Sequence, residues 1–185
     1  RRANVVTTGA GNRLLAAGDA NQGISGVGVV NGNTAAPTLQ IGNVHVGSTT
    51  YSYNIVNTGT SGPALRGATQ TSVNGGNITD PRLSGSGVTA GNWGPLATGG
   101  SLSRDVVVTV GAAGSLAPLT GQSVAIVNNF ENTRSQVVTI GLAPGAAAYR
   151  LADPGIVAPV AFGNVHVGDV VSRNLTISNL APNDG

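Results

Sequence analysis

The feature that most restricts how this chain can fold is an internal repeat. Ile41-Gly42-Asn43-Val44-His45-Val46-Gly47 returns as Phe162-Gly163-Asn164-Val165-His166-Val167-Gly168, with six of seven positions identical at a spacing of 121. The likeness continues downstream, where Tyr53-Asn54-Ile55-Val56-Asn57 matches Leu175-Thr176-Ile177-Ser178-Asn179 at a spacing of 122. Each copy follows a proline-marked lead-in, Ala36-Pro37 in the first and Ala158-Pro159 in the second. Self-similarity at such a distance means that one folding unit is written more than once. The expected organisation is a tail of a preceding β repeat plus linker over 1–36, a complete unit over 37–147, and the opening strands of the next repeat over 148–185. Gln22-Gly23-Ile24-Ser25 is read as the counterpart of Gln136-Val137-Val138-Thr139, which precedes the second motif. The chain starts in mid-pattern, so it is expected to be an internal piece of a longer protein.

Composition says what kind of unit repeats. Val and Ile number 32 against 13 Leu, and 29 residues are Gly. Branching at Cβ suits a pleated sheet, and scattered glycine works against long helices. Within the first unit, Leu39 to Val46 reads as extended, broken at Gly42-Asn43. Thr50 to Asn57 alternates, with Tyr51, Tyr53 and Ile55 on one face. Weaker strands are expected at Ala64 to Ser72 and Pro81 to Thr89, with a turn at Asn74-Gly75 between them. Leu102 to Val110 is a strong strand, and Val124 to Asn128 forms a hairpin with Gln136 to Leu142. Seven short strands separated by turn signals predict an all-β fold, an antiparallel immunoglobulin-like β-sandwich in tandem repeat with incomplete terminal units. Tyr53, Ile55, Val106, Val108, Val124 and Ile126 are expected to share its core. Only Asn12 to Asn21 offers a short helical turn.

These residues resemble a known family. The Phe162–Gly168 lead strand, the following strand ending Ile177-Ser178-Asn179, the continuation Ala181-Pro182-Asn183-Asp184-Gly185 and the preceding Tyr149-Arg150-Leu151-Ala152 look like bacterial surface repeats of the choice-of-anchor D type. More loosely they resemble the immunoglobulin-like modules of the ASH and MSP superfamily. The resemblance covers about 37–185 and departs from the pattern near Gly75–Gly94. It implies tandem sandwiches in large, secreted, repetitive proteins on bacterial surfaces, and it supplies no catalytic residues.

Few residue patterns point to chemistry. The nine basic residues are all Arg and are scattered beyond Arg1 and Arg2, leaving no stripe to neutralise a nucleic-acid backbone. No apolar run approaches the roughly 18 residues that a membrane helix needs. Cys is absent, which excludes disulfides and thiolate metal sites. His45 and His166 occupy equivalent repeat positions and read as outward strand residues rather than metal ligands. Glu131 is the sole glutamate, set beside Arg134, and no motif unites it with Asp80, Asp105 or Asp153 as a catalytic pair. Ser84-Gly85-Ser86-Gly87 lacks the spacing of a nucleophile elbow and reads as a turn. Gly9-Ala10-Gly11 and Gly26-Val27-Gly28 lack the Lys-Ser/Thr pair and the helix that make a glycine-rich turn into a phosphate loop. Calcium has two candidate positions, Asp80 near Asn77 and Asp153 at the unit junction. Trp93 is either a core plug against the Val106–Val110 strand or a ligand-stacking platform for sugar. Two glycosylation-type sequons occur, at Asn77 and at Asn174 within an expected strand.

The expected function is therefore structural: a repeat module of a large extracellular bacterial surface protein, fibre, adhesin stalk or surface layer. The alternative is a carbohydrate- or protein-binding immunoglobulin-like module. No enzymatic activity and no cofactor are expected. Opening strands alone are marginal in water and expose unpaired backbone groups. Val165, Val167, Leu175 and Ile177 are the candidate inter-unit pairing residues. Strand addition with neighbouring repeats or copies of itself would complete them and give a homo-oligomer or filament; continuation of the chain would do the same.

Overall fold

The computed structural model describes residues 21–131, 133–156 and 159–181. Expectations placed on 1–20, including most of the helical turn and the Gly9-Ala10-Gly11 loop, lie outside the described residues, as does the 182–185 continuation. In chain order the strands are β1 (Gln22–Ser25), β2 (Val29–Val30), β3 (Thr38–Ile41), β4 (Val44–His45), β5 (Gly47–Asn57), β6 (Leu65–Gln70), β7 (Leu83–Ser84) and β8 (Gly91–Leu96). They continue with β9 (Ser101–Val110), β10 (Gly114–Ser115), β11 (Ser123–Asn128), β12 (Gln136–Leu142), β13 (Ala147–Tyr149), β14 (Pro154–Ile156) and β15 (Ile177–Asn179). A single 3-10 turn, Ala117–Leu119, interrupts the strands among the described residues.

The fold is all-β and consistent with an immunoglobulin-like sandwich. One sheet runs β1-β5-β9-β7 and the other β2-β3-β12-β11-β6-β8. There is a small sheet, β10-β13-β4, and a two-stranded sheet of β14 and β15. The backbone of the first sheet is the β5–β9 ladder, with ten successive antiparallel pairs from Gly47 opposite Val110 to Val56 opposite Ser101. Strict alternation turns one side of each strand inward. Thus Tyr53 and Ile55 from β5, Val106 and Val108 from β9, and Val124 and Ile126 from β11 are all fully buried in a single core. Tyr53 donates its hydroxyl to the Gly87 carbonyl at 2.8 Å, so the one polar atom it brings into the core is satisfied.

Several sequence expectations need correction. The sandwich is not purely antiparallel, because β3 pairs with β12 and β4 with β13 in parallel. Parallel neighbours need a long crossover, and here nearly the whole unit lies between β3 and β12. The start expected at 37 also falls inside the sheets. β1 pairs with β5, Ile24 opposite Ile55, and β2 pairs with β3. Gln22–Ser25 is therefore no closing strand of an earlier unit and does not stand in for Gln136–Thr139. Gln22 instead meets Gln136 inside this sandwich, donating through Nε2 to its Oε1 at 3.3 Å and to the Ile126 carbonyl at 3.0 Å. At the other end the sheets extend past 147, since Ala148 and Tyr149 pair with Val44 and His45. β8 has no counterpart among the expected strands; it carries Gly91, Gly94 and Pro95 and lies at a sheet edge, where a missing N–H costs little.

Candidate functional site

The repeated asparagine at the end of β5 organises a corner of the sandwich. Asn57 is fully buried. Its Oδ1 accepts from the backbone N–H groups of Asn21 and Gly59, both at 3.1 Å. Its Nδ2 donates to the Leu96 carbonyl at 3.0 Å, and the Thr58 N–H donates to the Asn21 carbonyl at 2.7 Å. The main chain of Asn57 reaches the turn before β9: its N–H donates to the Gly100 carbonyl, and its carbonyl accepts from Gly99, each at 2.9 Å. One side chain thus joins the entry to β1, the exit from β5 and the β8–β9 turn. An amide is the group for this work, because it carries donors and an acceptor without charge.

The same corner is built a second time at Asn179. Its Oδ1 accepts from the N–H groups of Asp153 at 2.9 Å and Ala181 at 3.0 Å. The Leu180 N–H donates to the Asp153 carbonyl at 2.7 Å. The ladder register is also the same. Gly23 faces Val56 and Ile24 faces Ile55 in one corner; Gly155 faces Ser178 and Ile156 faces Ile177 in the other. Even the glycine recurs for one reason: a Cβ on Gly23 would lie 3.0 Å from the Thr58 side chain, and one on Gly155 would lie 2.5 Å from that of Leu180. Twelve residues separate Ile24 from Pro37 but only two separate Ile156 from Pro159, so β2 and its turn have no counterpart after β14.

The residues proposed for inter-unit pairing do not act together as strands. Ile177 lies in β15, whereas Val165, Val167 and Leu175 lie outside every strand, and all four are exposed. Trp93 is buried at 5% exposure and belongs to the core. Its ring lies over Gly67, where an added Cβ would come within 2.4 Å of the indole. A stacking platform needs a free face, so Trp93 is a plug and the sugar-platform reading fails.

The charged and polar candidates are also dispersed. The Asp80 carboxylate is held by Arg82, Oδ1 accepting from Nε at 3.0 Å and Oδ2 lying 2.7 Å from the terminal nitrogen. Asn77 turns its amide to the Gly121 carbonyl, so it does not join Asp80 around a cation. Asp153 contributes its backbone to the Asn179 corner. Among the described residues, no three His, Asp or Glu side chains converge as a metal site. His45 projects from β4 beside buried Val44, and His166 is exposed in a turn closed by Asp169. Glu131 is exposed, while the Arg134 guanidinium donates to the Asn33 carbonyl. The Asn174 sequon lies outside any strand. No helix among the described residues is long and apolar enough to cross a membrane.

No family model matches the chain, and no curated protein matches it. Among solved structures, a domain of human CEP192 described as ASH / PapD-like (PapD-like domain 7) is similar with a TM-score of 0.39 at 10% identity, over 80% of this chain and 94% of that one.

Proposed function

We propose that this chain is a structural repeat module of a large extracellular bacterial surface protein, in which immunoglobulin-like sandwiches follow one another as a fibre, stalk or layer. The observation that carries this reading is the Asn57 corner rebuilt at Asn179 with the same two bonds to the side-chain Oδ1, the same backbone bond beside them and the same register. Such a duplication supports a unit used for its shape and its ability to be joined in series, with no reaction of its own. The bacterial surface setting rests on the resemblance of the Phe162–Gly168 and Ile177–Asn179 segments. Burial of Trp93 removes the main support for a sugar-binding module.

Two measurements test the proposal. Antibodies raised against residues 21–149 should label intact cells of the source bacterium, and solution scattering of the purified chain should be indifferent to added glycans. Labelling found only after cells are opened would overturn the surface assignment. A saturable glycan or small-molecule ligand that stabilises residues 21–149 would overturn the structural one.

A further inference from the structure

The two asparagine corners differ on one side, and that difference defines a docking edge. In the first, β5 lies between β1 and β9; in the second, β15 pairs with β14 alone among the described residues. No described residue takes the places of Leu96, Gly99 and Gly100 around Asn179. The apolar positions agree with this. Ile41, Val44, Tyr53 and Ile55 are at most 2% exposed. Their repeat counterparts Phe162, Val165, Leu175 and Ile177 are 50%, 54%, 56% and 65% exposed. Positions that repeat a core pattern and lie open are core positions awaiting cover.

We propose that the open edge of β15 is a docking site for one strand with the chemistry of Leu96–Val110, supplied by the closing half of a second sandwich. This rests on the reading of the chain as a tandem module and specifies how the second unit closes. The occupant has a Gly-Gly turn followed by alternating apolar residues, and it runs antiparallel to β15. The turn supplies a carbonyl to the Asn179 Nδ2, a second carbonyl to its N–H and an N–H to its carbonyl, as residues 96–100 do for Asn57. The register follows from the first unit, where Ile55 faces Leu102 and Tyr53 faces Arg104. Ile177 therefore faces the Leu102 position and Leu175 the Arg104 position. A second copy is not the occupant, because its own β9 is held by ten pairs to β5.

The test extends the full chain by repeating residues 60–149 directly after residue 181. The Asn57 N–H points toward β9, and strand periodicity makes residues 177 and 179, and residue 175 once docking extends β15 to it, point the same way. Their amide exchange, read by NMR, should slow by at least about 100-fold in the extended chain, as expected for amides drawn into a cooperative unit. Replacing Asn179 by Ala in the extended chain should reverse at least about tenfold of that slowing, the effect of a bond worth about 1.4 kcal/mol. A second cooperative unfolding transition with these three amides still unprotected would overturn the docking register while leaving the tandem reading intact. Absence of any second transition would overturn both. Concentration-dependent protection of the same amides in the unextended chain would overturn the assigned occupant in favour of a second copy.

Discussion

Asn57 and Asn179 hold equivalent places in the repeat, yet their replacement by Ala should have very unequal consequences. Asn57→Ala removes three side-chain hydrogen bonds at a fully buried site, to Asn21, Gly59 and Leu96. A typical intramolecular hydrogen bond contributes about 1 kcal/mol net, and a buried group stripped of its partner costs about 1–3 kcal/mol. The Leu96 carbonyl is the group most exposed to that second cost, since it lies in a buried contact. The Asn21 and Gly59 N–H groups lie nearer solvent, where water replaces part of what is lost. The sum is a destabilisation of about 2–4 kcal/mol. For a unit of this size each kcal/mol moves the midpoint by about 4 °C, so Tm should fall by about 8–16 °C. Asn179→Ala acts in a two-stranded corner outside the sandwich and should change that transition by less than about 0.5 kcal/mol. Urea titration and calorimetry of the two variants read the difference directly. Equal shifts, or a shift below about 0.5 kcal/mol for Asn57→Ala, would refute the assignment of Asn57 as the bracket of the fold.

Other perturbations test separate parts of the sandwich. Val108→Asp places a carboxylate in the fully buried core and should abolish folding, while His45→Ala on the exposed side of β4 should stay within about 0.5 kcal/mol of the parent by thermal melting. Gly67→Ala drives a methyl to 2.0 Å from the Val127 carbonyl and 2.4 Å from the Trp93 ring. The ring must move, so tryptophan emission should shift to the red with a loss of about 1–3 kcal/mol; unchanged emission would show that Trp93 is not seated on Gly67. Side-chain hydrogen bonds from Arg82 hold the Asp80 carboxyl below its ordinary value of 3.8, against an opposing push from burial. A depressed value in the folded state contributes stability that is present above the ordinary carboxylate range and lost as pH falls through the folded value. Asp80→Asn should therefore flatten the acid limb of the stability profile below pH 3.8 and leave its alkaline limb unchanged. Burial pushes the Tyr53 hydroxyl up, against an opposing pull from Arg104. A raised folded value is lost as stability when pH climbs above the unfolded value of 10.0, so Tyr53→Phe should flatten the alkaline limb alone.

Legibility in the sequence follows periodicity. β5, β9 and β12 alternate over seven to eleven residues, and their inward side chains are the buried ones; β11 is legible instead as a short apolar run, Val124-Ala125-Ile126, buried throughout. β8 is hidden because Gly91, Gly94 and Pro95 are turn residues by type; the strand exists because Trp93 packs on Gly67 and β6 pairs with it through a register shift. The parallel β3–β12 ladder is hidden for another reason: residues about one hundred apart carry no local signal of which edge they share. β1 is obscured by length. The ten extra residues around β2 put Gly23-Ile24 at a spacing of 132 from Gly155-Ile156, while Ile55 and Asn57 keep the spacing of 122 to Ile177 and Asn179. An alignment at the fixed spacing of 122 sets Gly23-Ile24 against Gly145-Ala146 and misses the true partner. The Asn57 corner is half visible, since the asparagine matches across the repeat without any hint of what it holds.

The pattern of conservation between the two copies within this chain has a physical basis. Some core positions change identity: Ile41 becomes Phe162 and Tyr53 becomes Leu175, while Val44 and Ile55 return as Val165 and Ile177. An apolar core accepts such exchanges when total volume is kept, because dispersion and burial are not directional. The corner does not tolerate them. Asn57 and Asn179 each accept from two N–H groups separated widely in sequence, with distances between 2.9 and 3.1 Å. Asp in that place would lose the donor that serves Leu96 and bury a charge, Ala would lose every bond, and Gln would carry its amide one carbon too far. The glycine opposite gives the side chain of residue 58 or 180 room to lie across it, where a Cβ would come within 3.0 Å and 2.5 Å respectively. The durable mark of this unit is therefore the pairing of a Gly-Ile strand with an Ile-x-Asn strand, more than the longer Gly-Asn-Val-His-Val-Gly string. The string keeps its residues in both copies, yet it forms β4 in the first and no strand in the second. The Gly-Ile and Ile-x-Asn pair forms the same ladder in both.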